Sequence, residues 1–175
     1  ISIVGTPAKT IEFFKKLGVP TSSARDALIV GGGRTSVYLA KQLLEMGIRV
    51  KIVERDEERC EELNEMVPKA MIICGDATDK DLLIEEGLLE TEAFVATTNF
   101  DEENIMLALF AKSLSSAKLI TKVHRISYDD IIDQLDVGSI IYPKFITSES
   151  IIKYVRAMKN SMGSNIETLY RLNDN

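Results

Sequence analysis

The sequence predicts an α/β protein built on a doubly wound, parallel, six-stranded sheet with flanking helices, and three observations predict it. From Asp26 onward, short β-rich apolar runs alternate with stretches of helical period. The first of these runs, Ala27-Leu28-Ile29-Val30, leads directly into Gly31-Gly32-Gly33, where strand and helix meet in a turn that has no room for side chains. A carboxylate, Glu54, closes the second run about 20 residues beyond those glycines.

The six expected strands are Ala27 to Val30, Arg49 to Val53, Ala70 to Cys74, Ala93 to Thr97, Lys118 to Val123 and Ser139 to Tyr142. Between them, helical periodicity covers Ser36 to Met46, Glu57 to Met66, Lys80 to Glu86, Glu103 to Leu114 and Tyr128 to Leu135. Gly47 and Gly87 fall where helices take a left-handed closing residue. A last helix, from about Ser148 to Met158, carries Ile151, Ile152, Val155 and Met158 on one face. Right-handed crossovers place the strands in the order 3-2-1-4-5-6, a Rossmann-like arrangement with its ligand crevice at the carboxyl ends near the first strand.

The flanks read differently. Ile1 to Val4 resembles the middle of a strand, and Ile11, Phe13, Phe14 and Leu17 form a helical stripe closed by Gly18. Residues 19–25, with Pro20, Thr21, Ser22 and Ser23, have the composition of a linker. The nucleotide-binding domain is then expected over 26–160, and the alternating run Ile166 to Leu172 starts a further lobe over 161–175. Such interrupted ends are expected of a piece of a longer protein.

Composition narrows the function classes. With 175 residues the chain is long enough to bury roughly 70% of its unfolded surface. A net charge of −6 with no concentration of Lys and Arg argues against a nucleic-acid partner. Cys60 and Cys74 lack metal or disulfide-framework spacing, and His124 is the one imidazole. No run reaches the roughly 18 apolar residues of a membrane helix, so any membrane role is expected to be peripheral.

The candidate site is read at the strand ends. Gly31, Gly32, Gly33, Arg34, Thr35 and Ser36 form G-x-G-x-x-S, a phosphate cradle in which the N–H groups and positive dipole end of the next helix meet an anion. Glu54 is placed to accept hydrogen bonds from ribose hydroxyls, and its charge opposes a 2′-phosphate unless Arg55 neutralises it. Gly75-Asp76-Ala77-Thr78 either borders an adenine ring or is a turn with a helix cap at Thr78 or Asp79. Thr97, Thr98 and Asn99 suit ribose or phosphate contacts, while Asp101, Glu102 and Glu103 suit a helix N-terminus. Lys122 offers a cation to the outer phosphates.

No reaction apparatus accompanies this cradle. None of the five tyrosines has a Lys four residues on, no G-x-S-x-G elbow occurs, and the glycine turn lacks the G-K-[ST] ending of a hydrolysing P-loop. The expectation is a binding module rather than an enzyme. The alternative is the cofactor domain of an NAD-dependent oxidoreductase whose catalytic part lies elsewhere.

Taken together, the Ala27–Gly33 turn, Val53-Glu54-Arg55-Asp56, Gly75-Asp76-Ala77-Thr78 and Thr97-Thr98-Asn99 followed by Asp101-Glu102-Glu103-Asn104 resemble the RCK/KTN nucleotide-binding domains of potassium-transport regulators, the TrkA type above all. The resemblance spans about Asp26 to Ala157. It implies NAD or NADH, or ATP or ADP, bound as a signal, and dimers assembled into a cytoplasmic ring under a transmembrane potassium-translocating subunit. It implies that residues 1–18 end a preceding regulatory lobe, making this the second of two tandem domains, and that the last helix contributes to dimer contacts. An RCK gating domain of a potassium channel shares these features. Ser36 departs from the family's usual Gly or Ala, and Lys122 stands where Arg is common, a point charge in place of a bidentate fork.

Overall fold

The computed structural model describes residues 24–125, 132–135 and 137–161. Six strands form one sheet: β1 (Asp26–Val30), β2 (Arg49–Glu54), β3 (Met71–Cys74), β4 (Ala93–Ala96), β5 (Lys118–Lys122) and β6 (Ser139–Ile141). They are all parallel, in the order β3-β2-β1-β4-β5-β6, as the alternating pattern predicts. The helices are α1 (Arg34–Glu45), α2 (Glu57–Met66), α3 (Lys80–Glu85), α4 (Asp101–Leu114) and α5 (Pro143–Ser161).

Period-two alternation along the central strands builds two cores. Leu28, Val30 and Val53 pack with Phe94, Leu83 of α3 and Leu107 of α4 on one face. Ile29, Val50 and Ile52 pack with Val37 and Ala40 of α1 and Leu63 of α2 on the other. Strands covered on both sides read as continuous apolar runs, which is why they are legible in sequence. Because β1 lies between β2 and β4, the chain leaves β1 towards one edge and later returns to fill the other, opening a crevice beyond the carboxyl ends of β1 and β4.

Gly47 and Gly87 close α1 and α3 with φ of 79° and 93°, as their positions predict. The expected linker ends firmly: Arg25 donates from its N–H and its Nε to the Glu92 carboxylate at 2.9 and 2.6 Å. The strand and helix expected over 1–18, the lobe expected over 161–175 apart from Ser161, which ends α5, and the body of the helix expected from Tyr128 lie outside the described residues. Asp133–Leu135, where that helix was expected to end, is a single 3-10 turn. The last helix starts five residues earlier than its apolar stripe suggests, because Pro143 occupies a first-turn position where its missing N–H costs nothing. Among the described residues no helix is long and apolar enough to cross a membrane.

Candidate functional site

The crevice at the switch point is a cleft lined by the glycine turn after β1, Glu54 and Arg55 after β2, Asp76 and Ala77 after β3, and Thr98 and Phe100 after β4. Its cavity measures about 110 Å³.

Gly31 shapes the turn. Its φ is 94°, its N–H donates to Val53 O at 2.9 Å, and a Cβ there would stand 2.9 Å from Thr98 N and 3.0 Å from Thr97 C. Both neighbours are backbone, so only glycine lets β1 turn against the end of β4. Gly33 differs: its φ of −69° suits any residue, and nothing lies within 4 Å of a Cβ built on it. It is the N-cap of α1 without a side-chain cap, and the first turn of α1 contains no acidic residue. The first-turn N–H groups and the dipole of α1 are therefore left for an anion at Gly33. Arg34 and Thr35 are exposed on that turn, outside the cleft lining.

Ser36 does not face the cleft. It is fully buried, its Oγ donates to Gly31 O, and it lies 2.9 Å from Thr97 Oγ1, which donates to Val30 O at 2.9 Å. The hydroxyl at the third fingerprint position ties the turn to the end of β4, a contact that Gly or Ala could not make.

Glu54 organises the turn from the other side. One carboxylate oxygen accepts from Gly32 N–H at 2.6 Å, and the other accepts from Arg55 N–H at 2.8 Å and Asp56 N–H at 3.0 Å. A carboxylate has about four lone-pair sites, so acceptor capacity remains for a hydroxyl in the cleft. Asp56 caps α2 by accepting from Arg59 N–H at 2.8 Å, and Arg59 Nε reaches back to Gly32 O at 2.7 Å. Sequence reasoning missed Arg59. Its spacing of three from the cap residue was the available signal.

Asp76 folds its own turn, accepting from Thr78 N–H and Thr78 Oγ1, each at 2.8 Å. These two bonds hold its carboxyl below the ordinary carboxylate range. Asp76 and Ala77 border the cleft, whereas the Thr78 hydroxyl is turned to Asp76 and the cap of α3 is Asp79.

Behind the β4 loop lies a polar brace. Asn104, fully buried, accepts from Thr98 N–H at 2.9 Å and donates to Thr98 O and Lys122 O at 3.2 and 2.9 Å. Asp101 accepts from the backbone N–H groups of His124 and Arg125 at 3.0 Å and lies 2.9 Å from His124 Nδ1. Burial alone would raise its carboxyl, but those partners together hold it below the ordinary range. Lys122 is 5% exposed and donates from Nζ to Thr97 O at 2.8 Å, within the sheet's end rather than in the cleft lining. Burial pushes its ammonium below the usual lysine range, and Asp101 opposes that shift.

Phe100 and Glu103 also line the cleft without having been singled out as contacts. Phe100 is 52% exposed, and the Arg55 guanidinium stands 5.7 Å from its ring centroid, bridging the mouth of the cleft. An exposed aromatic directly after Thr97-Thr98-Asn99 was the signal for it.

The cleft thus brings together an open glycine N-cap, a carboxylate hung between backbone N–H groups, and an acidic turn on the far wall. The sequence matches the TrkA-N domain over residues 27–143. The chain belongs to the TrkA-N domain family. Among its relatives, the Trk system potassium uptake protein TrkA of Vibrio alginolyticus is 37% identical over 132 residues, 75% of this chain and 29% of that protein. A TrkA homolog of Archaeoglobus fulgidus is 33% identical over 159 residues, 91% of this chain and 35% of that protein. The chain thus spans about a third of the length of these curated relatives. Among solved structures, the TrkA-N domain of the inner membrane protein ybaL from Escherichia coli superposes with a TM-score of 0.67 at 18% identity, over 77% of this chain and 99% of that one. The GsuK channel bound to NAD gives 0.60 at 17% identity, over 78% of this chain and 27% of that one. At such identities the two structures establish a shared fold.

Proposed function

We propose that this TrkA-N domain binds an adenine nucleotide with free ribose hydroxyls, NAD or NADH foremost and ATP or ADP as alternatives, as a signal rather than as a reactant. In this reading the pyrophosphate sits on Gly32, Gly33 and the first turn of α1, with Arg34 and Thr35 at its rim. Glu54 holds the ribose, Asp76 and Ala77 border the adenine, and Thr98 and Asn99 meet the outer ribose or phosphate. Ser36, Thr78 and Lys122 act behind the wall by holding its shape, and Thr97 lines the cleft with its hydroxyl bonded to Val30 O. The observation that carries the reading is the Glu54 carboxylate bonded to Gly32 N–H at 2.6 Å, which couples the ribose position to the phosphate turn.

A cavity of about 110 Å³ is smaller than the roughly 300–1,000 Å³ of ordinary ligand pockets, and in this reading the Arg55–Phe100 pair on its lining parts to admit a dinucleotide. Opening on binding gives the nucleotide a differential affinity for two shapes, which is what a signal requires. The names of the relatives, potassium uptake proteins, support a receiver of that signal: a transmembrane potassium-translocating subunit, with this chain peripheral on the inner face of the membrane. Residues 1–18 and 161–175 then belong to the regulatory lobes on either side, and 19–25 link the first to this domain. On α5, Ile151, Ile152, Val155 and Met158 remain between 48% and 58% exposed, a stripe suited to a second copy in a dimer or larger ring.

Calorimetric titration of the chain with NAD, NADH, ATP and ADP tests the core of the proposal. Saturable binding of at least one is expected. A folded chain that binds none would overturn it.

A further inference from the structure

The two cysteines, fourteen residues apart in sequence, meet in the fold. Cys60 lies in α2 and is buried, while Cys74 is the exposed last residue of β3. Strand pairing sets Cys74 beside Glu54, and the Cys60 thiol donates to Glu54 O at 3.3 Å. The same carbonyl accepts Gly75 N–H at 2.9 Å, so the Cys60 thiol and the backbone next to Cys74 converge on one oxygen, with both cysteines on the Glu54 end of the sheet. Neither sulfur belongs to the cleft lining; both stand directly behind Glu54 and Gly75, which do.

We propose that Cys60 and Cys74 form a redox-modified pair, closed by a peroxide into a reversible intramolecular disulfide between α2 and the end of β3. The exposed Cys74 reacts first. Its thiolate sulfur attacks one peroxide oxygen, the O–O bond breaks, and Cys74 becomes a sulfenic acid as the other oxygen leaves as water. Cys60 then gives up its proton and attacks the Cys74 sulfur. The S–O bond breaks, the hydroxyl leaves with a proton as water, and the disulfide remains. Two thiols and one hydrogen peroxide yield one disulfide and two waters.

The order follows from surroundings. Burial first, then Cys74 and the Glu54 and Asp56 carboxylates, push the Cys60 thiol up to about 12. Cys60 is therefore a poor initial nucleophile and the slower partner at neutral pH. Closure removes the S–H donor from Glu54 O and ties α2 to the strand end that leads into Gly75 and Asp76. If the cleft holds a nucleotide as proposed above, oxidation loosens the seat of the ribose carboxylate and weakens binding about fivefold or more.

The test treats the reduced chain with hydrogen peroxide, alkylates the remaining thiols and maps peptides by mass. Expected are loss of both thiols, a Cys60–Cys74 cross-linked peptide in monomeric protein, reversal by dithiothreitol, and a closure rate that rises with pH. Cys60→Ser should stop at a sulfenic acid that dimedone traps, and Cys74→Ser should leave Cys60 reduced. Two intact thiols, over-oxidation of Cys74 without a cross-link, or cross-links solely between molecules would overturn the proposal; the wild-type result alone decides it if a variant fails to fold. Calorimetry with NAD on both redox forms separates the readings. Equal affinity refutes the coupling, and absence of binding in both forms refutes the nucleotide reading while leaving the disulfide to stand.

Discussion

Gly31 and Gly33 sit two residues apart in one turn, yet substitution by alanine should act on different properties. At Gly31 the backbone φ of 94° strains any L side chain, at about 1–3 kcal/mol. The new Cβ would also meet Thr98 N at 2.9 Å and Thr97 C at 3.0 Å, and displacing packed backbone adds roughly 1–3 kcal/mol. The sum, about 2–6 kcal/mol, is a large share of the roughly 5–15 kcal/mol that holds a domain folded. At about 2–4 °C per kcal/mol, Gly31→Ala should lower the thermal midpoint by roughly 5–20 °C. Gly33→Ala meets nothing within 4 Å and keeps an ordinary φ of −69°. Its stability should stay within about 1 kcal/mol of the parent, because a poorer N-cap is offset by a less flexible unfolded chain. The methyl group stands where the phosphate is expected, so NAD affinity should fall about tenfold or more, or roughly 1.4 kcal/mol. Calorimetric melts and titrations of the two variants measure both quantities. A Gly31→Ala variant melting with the parent, or a Gly33→Ala variant binding NAD as tightly as the parent, would refute the division of labour.

Three further outcomes follow from the geometry. Glu54→Gln sets an amide donor against backbone N–H groups of the turn, at about 1–3 kcal/mol; NAD should bind at least about tenfold more weakly and the preference over NADP should narrow, and unchanged titrations would contradict the ribose role. The Asp101 carboxyl titrates lower folded than unfolded, so its stabilisation is complete above about pH 4 and is lost as pH falls through the folded value. Asp101→Asn should cost about 1–3 kcal/mol in urea melts at pH 7 and progressively less below pH 4, whereas a gap constant with pH would exclude this linkage. Val155→Glu on α5 should shift assembly towards monomer in sedimentation velocity while moving stability by less than about 0.5 kcal/mol, since the side chain is 55% exposed; a parent already monomeric would remove α5 as the interface.

Local periodicity was enough to read the six parallel strands, α1 to α4 and the two closing glycines: burial on both faces writes itself into the central strands, and the edge strands β3 and β6 still read as short apolar β-branched runs between helical stretches. Glu54 was legible for a related reason: a strand, turn, helix and returning strand occupy a nearly constant length, so its distance from the glycines placed it in the cleft. Ser36 and Lys122 were not legible in that way. Both are polar side chains close to the cleft in the chain, and whether such a side chain points into the cleft or into the sheet depends on which carbonyl the fold sets beside it: Gly31 O for Ser36, Thr97 O for Lys122. The Arg55–Phe100 bridge and the Cys60–Cys74 pair likewise join residues whose spacing in the chain carries no signal. The sequence by itself therefore determined the strands, most of the helices, the strand order and the glycine turn, which follow from local period and chain length. The tertiary structure decided which polar groups face the cleft and which brace it, because those choices are made by register and packing between elements far apart in the chain.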